Sequence, residues 1–209
     1  NFCNGIIFSK IKNKKKEFPK LLSWLNQFLW KKINLNKIKK LNFEQKCNSF
    51  YYEKSLSRIN YLYEKNNIYD KIEYINKVKV PKISSMFERI NWRELNAGIA
   101  VNFHGDLHFE NIIKYKRKIT LLDWREDFSG IKKYGDIYYD LAKINHGLII
   151  DHSIIKSSKY AVNINKKNIR INFLQPKENK DCQRELFKFL KKNNYSEKKV
   201  KILTSLIFL

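Results

Sequence analysis

A segment in the middle of the chain is dense in residues that do chemistry. It reads His104-Gly105-Asp106-Leu107-His108-Phe109-Glu110-Asn111, and Asp123 follows a little further on. Phosphoryl transfer from a nucleotide uses one carboxylate to orient the acceptor hydroxyl and take its proton, while an amide oxygen and a second carboxylate hold Mg²⁺ on the phosphates. Asp106, Asn111 and Asp123 are therefore candidates for these three roles.

Apolar stretches around these residues predict the strands that must hold them. Residues 99–103 alternate like a strand, and residues 111–115 and 119–123 are apolar runs separated by a basic turn at 116–118. Two such runs joined by a short turn are typical of a β-hairpin. The sequence therefore predicts a small β-structure at the centre of the chain.

The hairpin explains how the three candidates come together. Because antiparallel pairing sets the start of one strand beside the end of the other, Asn111 and Asp123 should be neighbours. Asp106 lies five residues before Asn111, which is the Asp-x-x-x-x-Asn spacing of kinase catalytic loops. We expect the three side chains within about 10 Å of one another, facing an open cleft with residues 2–9 along its edge.

A helix should follow this hairpin. Ile137, Leu141, Ile144 and Leu148 recur at helical spacing, and Asp136 stands where a helix N-cap is favoured. Such a helix would pack one apolar face against the core beneath the site.

The first part of the chain also has a helical pattern. Leu21, Leu25, Phe28 and Leu29 form a one-sided apolar stripe. Pro19 is expected in the first turn of that helix, where its missing N–H costs nothing.

The other elements follow from similar patterns. A second helix is predicted from residue 43 to about residue 65, ended by Asn66 and Asn67, and Ser85 with Glu88 forms a capping-box pattern for a short helix. The remaining predictions are a hairpin over 160–165 and 169–174 and helices near 181–193 and 196–209. The chain should therefore be a mostly helical α+β domain with a few short strands.

The composition excludes several classes of protein. The 209 residues carry a net charge of +23 from 43 Lys and Arg against 20 Asp and Glu, but Lys outnumbers Arg by 36 to 7. Proteins that recognise nucleic-acid bases or bind phosphates in a bidentate manner rely mainly on Arg. We therefore expect a solvated lysine-rich surface and no specific nucleic-acid partner. The three Cys are far apart, which excludes a disulfide scaffold and indicates a reducing, cytoplasmic setting. No apolar run approaches the ~20 residues of a membrane span.

The motifs HGDLHFENII, LLDW and YGDIYYDLAK, in that order, resemble the aminoglycoside phosphotransferase and choline kinase superfamily, which has a protein-kinase-like fold. The sequence LLDWREDFSG…YGDIYYDLAK resembles in particular the branch of this superfamily whose members are found among capsule and surface-polysaccharide genes. The resemblance implies an ATP-dependent (or other NTP-dependent) enzyme that uses Mg²⁺ and phosphorylates a hydroxyl of a small metabolite. The acceptor would be a sugar, a choline-like amino alcohol or an aminoglycoside-like compound.

The resemblance also implies a role for each motif residue. Asp106 would be the catalytic base, and Asn111 and Asp123 would bind Mg²⁺ and the nucleotide. His104 would brace the catalytic loop, and Asp136 would cap the following helix and hydrogen-bond back to that loop. Asp140 is expected to support the same helix start, and the candidate substrate contacts are His108, Glu110, Arg125, Glu126 and Asp127.

The resemblance covers one lobe of such a kinase. None of the six glycines forms a glycine-rich phosphate loop before the catalytic segment, so residues 1–209 are expected to be a single C-terminal lobe without the N-terminal lobe. Within it the sequence predicts a linker remnant (1–9), a helical part (10–98), a catalytic core (99–148) and a terminal hairpin with helices (149–209).

Three alternatives stay open at this stage. His104, Asp106 and His108 would share one side of a strand and, with Asp123, could form the metal site of a hydrolase. Aromatic residues such as Tyr51, Tyr52 and Tyr61 could instead stack nucleic-acid bases on a basic surface. The chain could also be a non-catalytic member of the kinase-like fold, which the intact set of candidate residues argues against. The sequence leaves the oligomeric state open.

Overall fold

The computed structural model describes residues 4–65, 71–150 and 152–209. Helices predominate in an α+β arrangement, which confirms the predicted class. The helices are α1 (Lys14–Trp24), α2 (Lys37–Asn48), α3 (Lys54–Lys65), α4 (Ile83–Glu88), α5 (Trp92–Asn96), α6 (Ile137–Ile149), α7 (His152–Lys156), α8 (Lys177–Lys192) and α9 (Glu197–Ile207). The strands are β1 (Ile6–Ile7), β2 (Tyr74–Ile75), β3 (Val78–Lys79), β4 (Ala100–Val101), β5 (Ile112–Tyr115), β6 (Lys118–Leu121), β7 (Gly135–Asp136), β8 (Tyr160–Asn165) and β9 (Asn168–Phe173).

The strands form three small sheets. β1, β5 and β6 form an antiparallel sheet in the order β1-β5-β6, and β4 pairs with β7. The third sheet has the order β3-β2-β9-β8 and contains the parallel pair β2–β9. Both predicted hairpins are confirmed, with Tyr115 opposite Lys118 in one and Asn165 opposite Asn168 in the other.

Helix α6 lies in the middle of the core. It packs against α8 and α9, and α1 packs against α8. Its stripe of Ile137, Leu141, Ile144 and Leu148 is buried as predicted, and the side chain of Asp136 accepts a hydrogen bond from the Tyr138 N–H as the predicted N-cap. The predicted terminal helices correspond to α8 and α9, although α8 begins at Lys177.

The expected position of Pro19 is wrong, because α1 begins at Lys14 and Pro19 lies inside it. The first turn is fixed by Lys14, which is buried and whose Nζ donates to the Ser9 carbonyl oxygen at 3.0 Å. Lys14 Nζ also lies 3.9 Å from Glu178 Oε2 on α8. Together these contacts outweigh the local preference of proline for a first turn.

The apolar stripe that runs from α1 into the following turn is only partly buried. Leu21, Leu25 and Leu29 lie in the core, whereas Phe28 is 55% exposed and its ring lies 5.5 Å from that of Trp24. Leu25–Leu29 is a π-helical turn. A π-turn contains more residues than an α-turn, so it rotates the following side chains away from the face that a 3.6-residue period predicts.

The second helix differs from its prediction in extent. It begins at Lys37, with the Asn36 side chain as N-cap to the Lys39 N–H, and continues through a π-helical segment, Ser49–Glu53, into α3. Its predicted end at Asn66 and Asn67 lies outside the described residues.

The predicted capping box at Ser85 is wrong. Helix α4 begins at Ile83 and its N-cap position is Lys82, so Ser85 lies within the first turn. The next helix, α5, has a side-chain cap, since Asn91 accepts a hydrogen bond from the Glu94 N–H.

None of the helices in the described ranges is both long enough and apolar enough to span a membrane.

Candidate active site

The loop that follows β4 begins with a bend at Gly105. This residue has φ +81°, and a Cβ added there would lie 2.5 Å from the Cβ of Arg125. An L side chain is disfavoured at such a φ and would clash here. The glycine therefore lets the loop turn tightly against the segment after β6, which carries Arg125.

Asp140 anchors this loop from below. Its Oδ2 accepts hydrogen bonds from the His104 N–H and from Trp30 Nε1, at 2.9 and 3.0 Å, and its Oδ1 accepts from the Gly105 N–H at 2.7 Å. Burial raises the pKa of this carboxyl to about 6, although the N–H donors oppose that shift. The expectation that Asp140 supports the helix start is thus wrong, because its bonds go to the loop and to Trp30.

The Asp140 anchor predicts a large effect on stability. Asp140→Ala removes the acceptor of three buried N–H donors, and each unsatisfied donor costs about 1–3 kcal/mol. We expect a loss of at least about 3 kcal/mol in the free energy of unfolding, measured by urea denaturation. Asp140→Asn retains one oxygen and should lose less, and an Ala variant as stable as wild type would contradict the anchoring role.

His104 braces the loop as a neutral ring. It is fully buried, its Nδ1 accepts from the Asp106 N–H at 3.2 Å, and its Nε2 donates to the Leu122 carbonyl oxygen at 2.7 Å. Burial lowers the pKa of the imidazole. The ring therefore ties the main chain of the loop to the residue just before Asp123.

Asp136 does not contact that loop in the way the sequence suggested. Its Oδ1 accepts from the N–H groups of Ile99 and Tyr138, and its Oδ2 accepts from the Tyr51 hydroxyl at 2.9 Å. Burial raises the pKa of the carboxyl to about 6. Among the residues that the structure describes, Asp140 makes the loop contacts in its place, because it lies one turn further along α6 and nearer to Gly105.

Asp106 lies at the centre of a group of donors. Its Oδ1 is 2.6 Å from Lys143 Nζ, and its Oδ2 is 3.5 Å from both His108 Nε2 and Asn111 Nδ2. Burial alone would raise the pKa of the carboxyl, but the hydrogen bonds from His108 and Lys143 outweigh it and hold the pKa well below its usual range. Asp106 is therefore a carboxylate at neutral pH, with its side chain 29% exposed.

His108 bridges two carboxylates. Its Nδ1 lies 3.1 Å from Glu110 Oε2 and its Nε2 faces Asp106. Burial opposes protonation of this ring, but the hydrogen bonds to Asp106 and Glu110 raise its pKa to about 9. His108 and Glu110, which were predicted as substrate contacts, thus bind each other within the loop. His108 is an imidazolium at neutral pH.

The raised pKa of His108 predicts a pH-dependent stability. Its ion pairs contribute in full below the unfolded value of 6.5, and the contribution is lost as the pH rises through about 9. Because one pKa unit corresponds to ~1.4 kcal/mol, we expect the unfolding free energy to fall by about 1–3 kcal/mol across that interval. Denaturation of wild type and His108→Gln at several pH values tests this, and equal slopes for both proteins would contradict it.

Asn111 joins Asp106 to the hairpin. Its Nδ2 donates to the Asp106 carbonyl oxygen at 3.0 Å, and its main-chain oxygen accepts from the Leu122 N–H at 2.9 Å. The side chain is therefore held by the loop, while the main chain continues the β5–β6 ladder up to the residue before Asp123. Asn111 and Asp123 thus lie at the same end of the hairpin.

Asp123 projects from a strained turn after β6. It is exposed and has φ +57°, a left-handed conformation that is uncommon for residues other than glycine and recurs at functional sites. Asp106 and Asp123 line one open cleft of about 760 Å³, together with Trp124, Arg125, Glu126 and Asp127. The described part of the segment 2–9 contains β1, which pairs with β5. It therefore lies at the edge of the β1-β5-β6 sheet opposite to β6.

Two of the predicted substrate contacts have structural partners. Arg125 donates from Nε to the Gly105 carbonyl oxygen at 3.2 Å, and its guanidinium lies over the rings of Phe50 and Tyr139. Asp127 Oδ1 accepts from the Gly130 N–H at 2.8 Å. Both residues also line the cleft, so a role in substrate contact stays a prediction.

The two alternative sites fit the geometry poorly. A hydrolase metal would need a nitrogen of His104, and both are already hydrogen-bonded, one to the Asp106 N–H and the other to the Leu122 carbonyl oxygen. In the described ranges, no group of three or more His, Cys, Asp or Glu is arranged to hold a metal ion. Tyr51 is buried against Asp136 and Tyr52 packs on Phe87, so neither presents a ring to a base, whereas Tyr61 is exposed and could do so.

Sequence reasoning missed Lys143 and the loop-binding role of Asp140. The only signal was their helical spacing after Asp136, which fits a structural face equally well. Comparisons with protein-family models, with curated proteins and with solved structures found no match to this chain.

Proposed function

We propose that this chain is the C-terminal lobe of a kinase-like small-molecule phosphotransferase. It would move the γ-phosphoryl group of ATP, or of another nucleoside triphosphate, to a hydroxyl of a small metabolite. The observation that carries the proposal is the convergence of Asp106, Asn111 and Asp123 at one end of the β5–β6 hairpin, beside an open cleft.

Asp106 is suited to act on the acceptor hydroxyl. A carboxylate can accept about four hydrogen bonds, and Lys143, His108 and Asn111 supply three donors here. One position is thus left for a hydroxyl of the acceptor. In the loose transition state of phosphoryl transfer the proton leaves late, so a carboxylate of low pKa can orient the hydroxyl and then take its proton.

Asn111 and Asp123 are suited to hold Mg²⁺. Carboxylate and amide oxygens are the hard ligands that this ion takes, and it usually keeps waters and phosphate oxygens as its other ligands. With Nδ2 of Asn111 donating to Asp106, the amide oxygen is the atom left for a cation. When bound, Mg²⁺ would neutralise charge on the phosphates of the nucleotide.

The resemblance of the motifs suggests the setting. Surface-polysaccharide metabolism would supply sugar hydroxyls as acceptors, and ATP as donor implies a cytoplasmic location. The geometry of His104 favours the phosphotransferase over the hydrolase alternative. Both of its ring nitrogens are hydrogen-bonded to the main chain, so neither is left for a metal.

Nucleotide binding tests the proposal directly. Calorimetric titration with ATP should give binding that depends on Mg²⁺, and transfer from γ-labelled ATP to a hydroxyl acceptor should follow. Tight Zn²⁺ binding without nucleotide, together with hydrolytic activity, would instead favour the metal-dependent hydrolase.

A further inference from the structure

The sheet of order β3-β2-β9-β8 is amphipathic. Successive side chains of a strand point to opposite faces of the sheet, and directly opposite residues share a face. Three alternate pairs across the β8–β9 hairpin are apolar: Tyr160–Phe173, Val162–Ile171 and Ile164–Ile169. The pairs between them consist of Asn, Arg and Ala residues. Ile75 lies opposite both Ile169 and Val78, so it and Val78 extend the apolar side. We call these eight apolar residues the apolar sheet face.

Most of this face is open to solvent. Val78, Tyr160, Val162, Ile164 and Phe173 are 36–64% exposed. β8 is the edge strand of the sheet, and each of its six residues is exposed. Five side chains of this size and exposure present on the order of 400 Å² of surface, and contiguous apolar patches in that range mark interaction sites on monomeric proteins. The face is therefore expected to bind a partner.

Cations surround the face. Residues 73–79 and 159–174, which form the four strands and their turns, contain six Lys or Arg and one carboxylate, Glu73. The ratio in the whole chain is only 43 to 20, and Glu73 is already paired with Lys167. Four of the cations lie in the turns or directly before β8: Lys77, Lys159, Lys166 and Lys167. The sheet thus combines an exposed apolar face with a local excess of positive charge at its ends.

A bilayer that contains anionic lipids fits this combination. Apolar side chains at a membrane surface enter the boundary between headgroups and acyl chains, where aromatic rings are favoured, and nearby cations bind the acidic headgroups. Lys can lay its aliphatic stem on apolar surface while its ammonium group stays in the headgroup layer. A second copy of the chain fits less well, although β8 is an edge strand, because pairing would bring two sheets of the same positive charge together.

We propose that the apolar sheet face docks the protein on an anionic lipid surface. Tyr160, Phe173 and the aliphatic side chains beside them enter the interfacial layer, and the lysines in the turns bind the headgroup phosphates. Binding is reversible and weakens as salt rises, because part of it is electrostatic. The inference is independent of phosphotransfer, since the cleft that contains Asp106 is lined by residues 106 and 123–127 and by none of the face.

Vesicle sedimentation tests the docking. The chain is titrated with vesicles of phosphatidylcholine alone and with vesicles that also contain about 30% phosphatidylglycerol, at about 0.15 M salt. We expect binding to the anionic vesicles to be at least tenfold tighter than to the neutral ones. Equal binding to both kinds of vesicle, or binding to neither, would overturn the proposal.

Matched aromatic variants separate docking by this face from the attraction of the general positive charge. Tyr160→Gln with Phe173→Gln leaves the charge unchanged and should weaken binding to the anionic vesicles at least tenfold. Phe28→Gln with Tyr61→Gln removes the same two ring types at exposed sites outside the face and should leave binding within twofold. Equal affinities of the two double variants would overturn the assignment of the face.

The lysines are tested in the same way. Lys159→Gln with Lys166→Gln should weaken binding to the anionic vesicles at least fivefold, since one Lys near such a surface contributes about that factor. Lys37→Gln with Lys39→Gln removes the same charge at exposed positions of α2 and should change binding less than twofold. Losses of equal size would show a non-specific effect of net charge and overturn the proposed role of the sheet.

Two further measurements cover a misfolded variant and a second copy of the chain. If the Tyr160 and Phe173 variant melts early, Leu174→Gln is compared with Leu41→Gln, since both leucines are more than half exposed and only Leu174 adjoins the face. A loss confined to Leu174→Gln supports the proposal, and equal effects overturn it. Sedimentation velocity without lipid should show a monomer. A dimer that Tyr160→Gln with Phe173→Gln dissociates, together with no binding to vesicles, would assign the face to a second copy and overturn the proposal.

Discussion

Replacing Asp106 with asparagine is expected to slow phosphoryl transfer by roughly 10²–10⁴, the usual contribution of a positioned general base. The amide cannot take the proton of the acceptor hydroxyl, and it loses the charge that pairs with Lys143 Nζ at 2.6 Å. Nucleotide affinity should stay nearly unchanged, because the proposed metal ligands are Asn111 and Asp123. Transfer rates and ATP titrations on the same preparations measure both quantities.

The control for this substitution is the loop itself. Asn111 Nδ2 donates to the main-chain oxygen of Asp106, and His104 Nδ1 accepts from its main-chain N–H. Neither bond involves the Asp106 carboxylate, so Asp106→Asn should keep the loop in place. The lost ion pairs with Lys143 and His108 should lower the melting temperature, so both proteins are assayed well below the midpoint of the variant. A folded variant that retains full activity with a confirmed acceptor would show that Asp106 is not the base.

The local part of the site was predictable from the sequence. The hairpin turn at 116–118 and the cap at Asp136 rest on short-range patterns, and the structure has both. The turn after β6 then sets Asp123 near Asn111 by antiparallel geometry alone. Turns and helix caps of this kind can be predicted because the residues that determine them are close in sequence.

The supporting contacts were not predictable, because they join distant parts of the chain. Asp140 bonds Trp30, which is 110 residues away, and the bend at Gly105. Lys54 of α3 and Arg125 of the segment after β6 both lie over the Phe50 ring. In an unaligned sequence each of these residues is equally consistent with a solvated surface position, so only the packing of the helices reveals them.

Two features that a regular helical period does not contain explain the errors in the helical region. Helix α1 begins at Lys14, whose Nζ contacts the Ser9 carbonyl oxygen and Glu178 of α8, so Pro19 lies inside the helix. Phe28 points outward because Leu25–Leu29 is a π-turn. A periodicity of 3.6 residues cannot represent either effect. The prediction therefore held for the existence of each element that it named and failed on the phase or the ends of some of them. It did not include β1, β2, β3, β7, α5 or α7.

The second large effect concerns the metal. Asp123→Ala is expected to abolish Mg²⁺-dependent binding of ATP, because it removes the only carboxylate among the proposed ligands and with it the charge that bridges the metal to the phosphates. Asn111→Ala should weaken binding less, since a neutral amide contributes less charge, although it also loses the bond to the Asp106 carbonyl. Titrations of Mg²⁺ at fixed ATP measure both.

Glu126→Ala is the matched control, because Glu126 is an exposed carboxylate that lines the same cleft as Asp123. It removes the same charge, so a purely electrostatic effect of the acidic wall would weaken metal-dependent binding equally in both variants. Specific ligation by Asp123 predicts that Glu126→Ala stays within about twofold of wild type, well below the tenfold that 1.4 kcal/mol represents. The left-handed backbone at Asp123 adds a second check, since Asp123→Gly relieves that strain and should raise stability while still abolishing binding. Equal Mg²⁺ titrations for wild type and Asp123→Ala would remove Asp123 from the site.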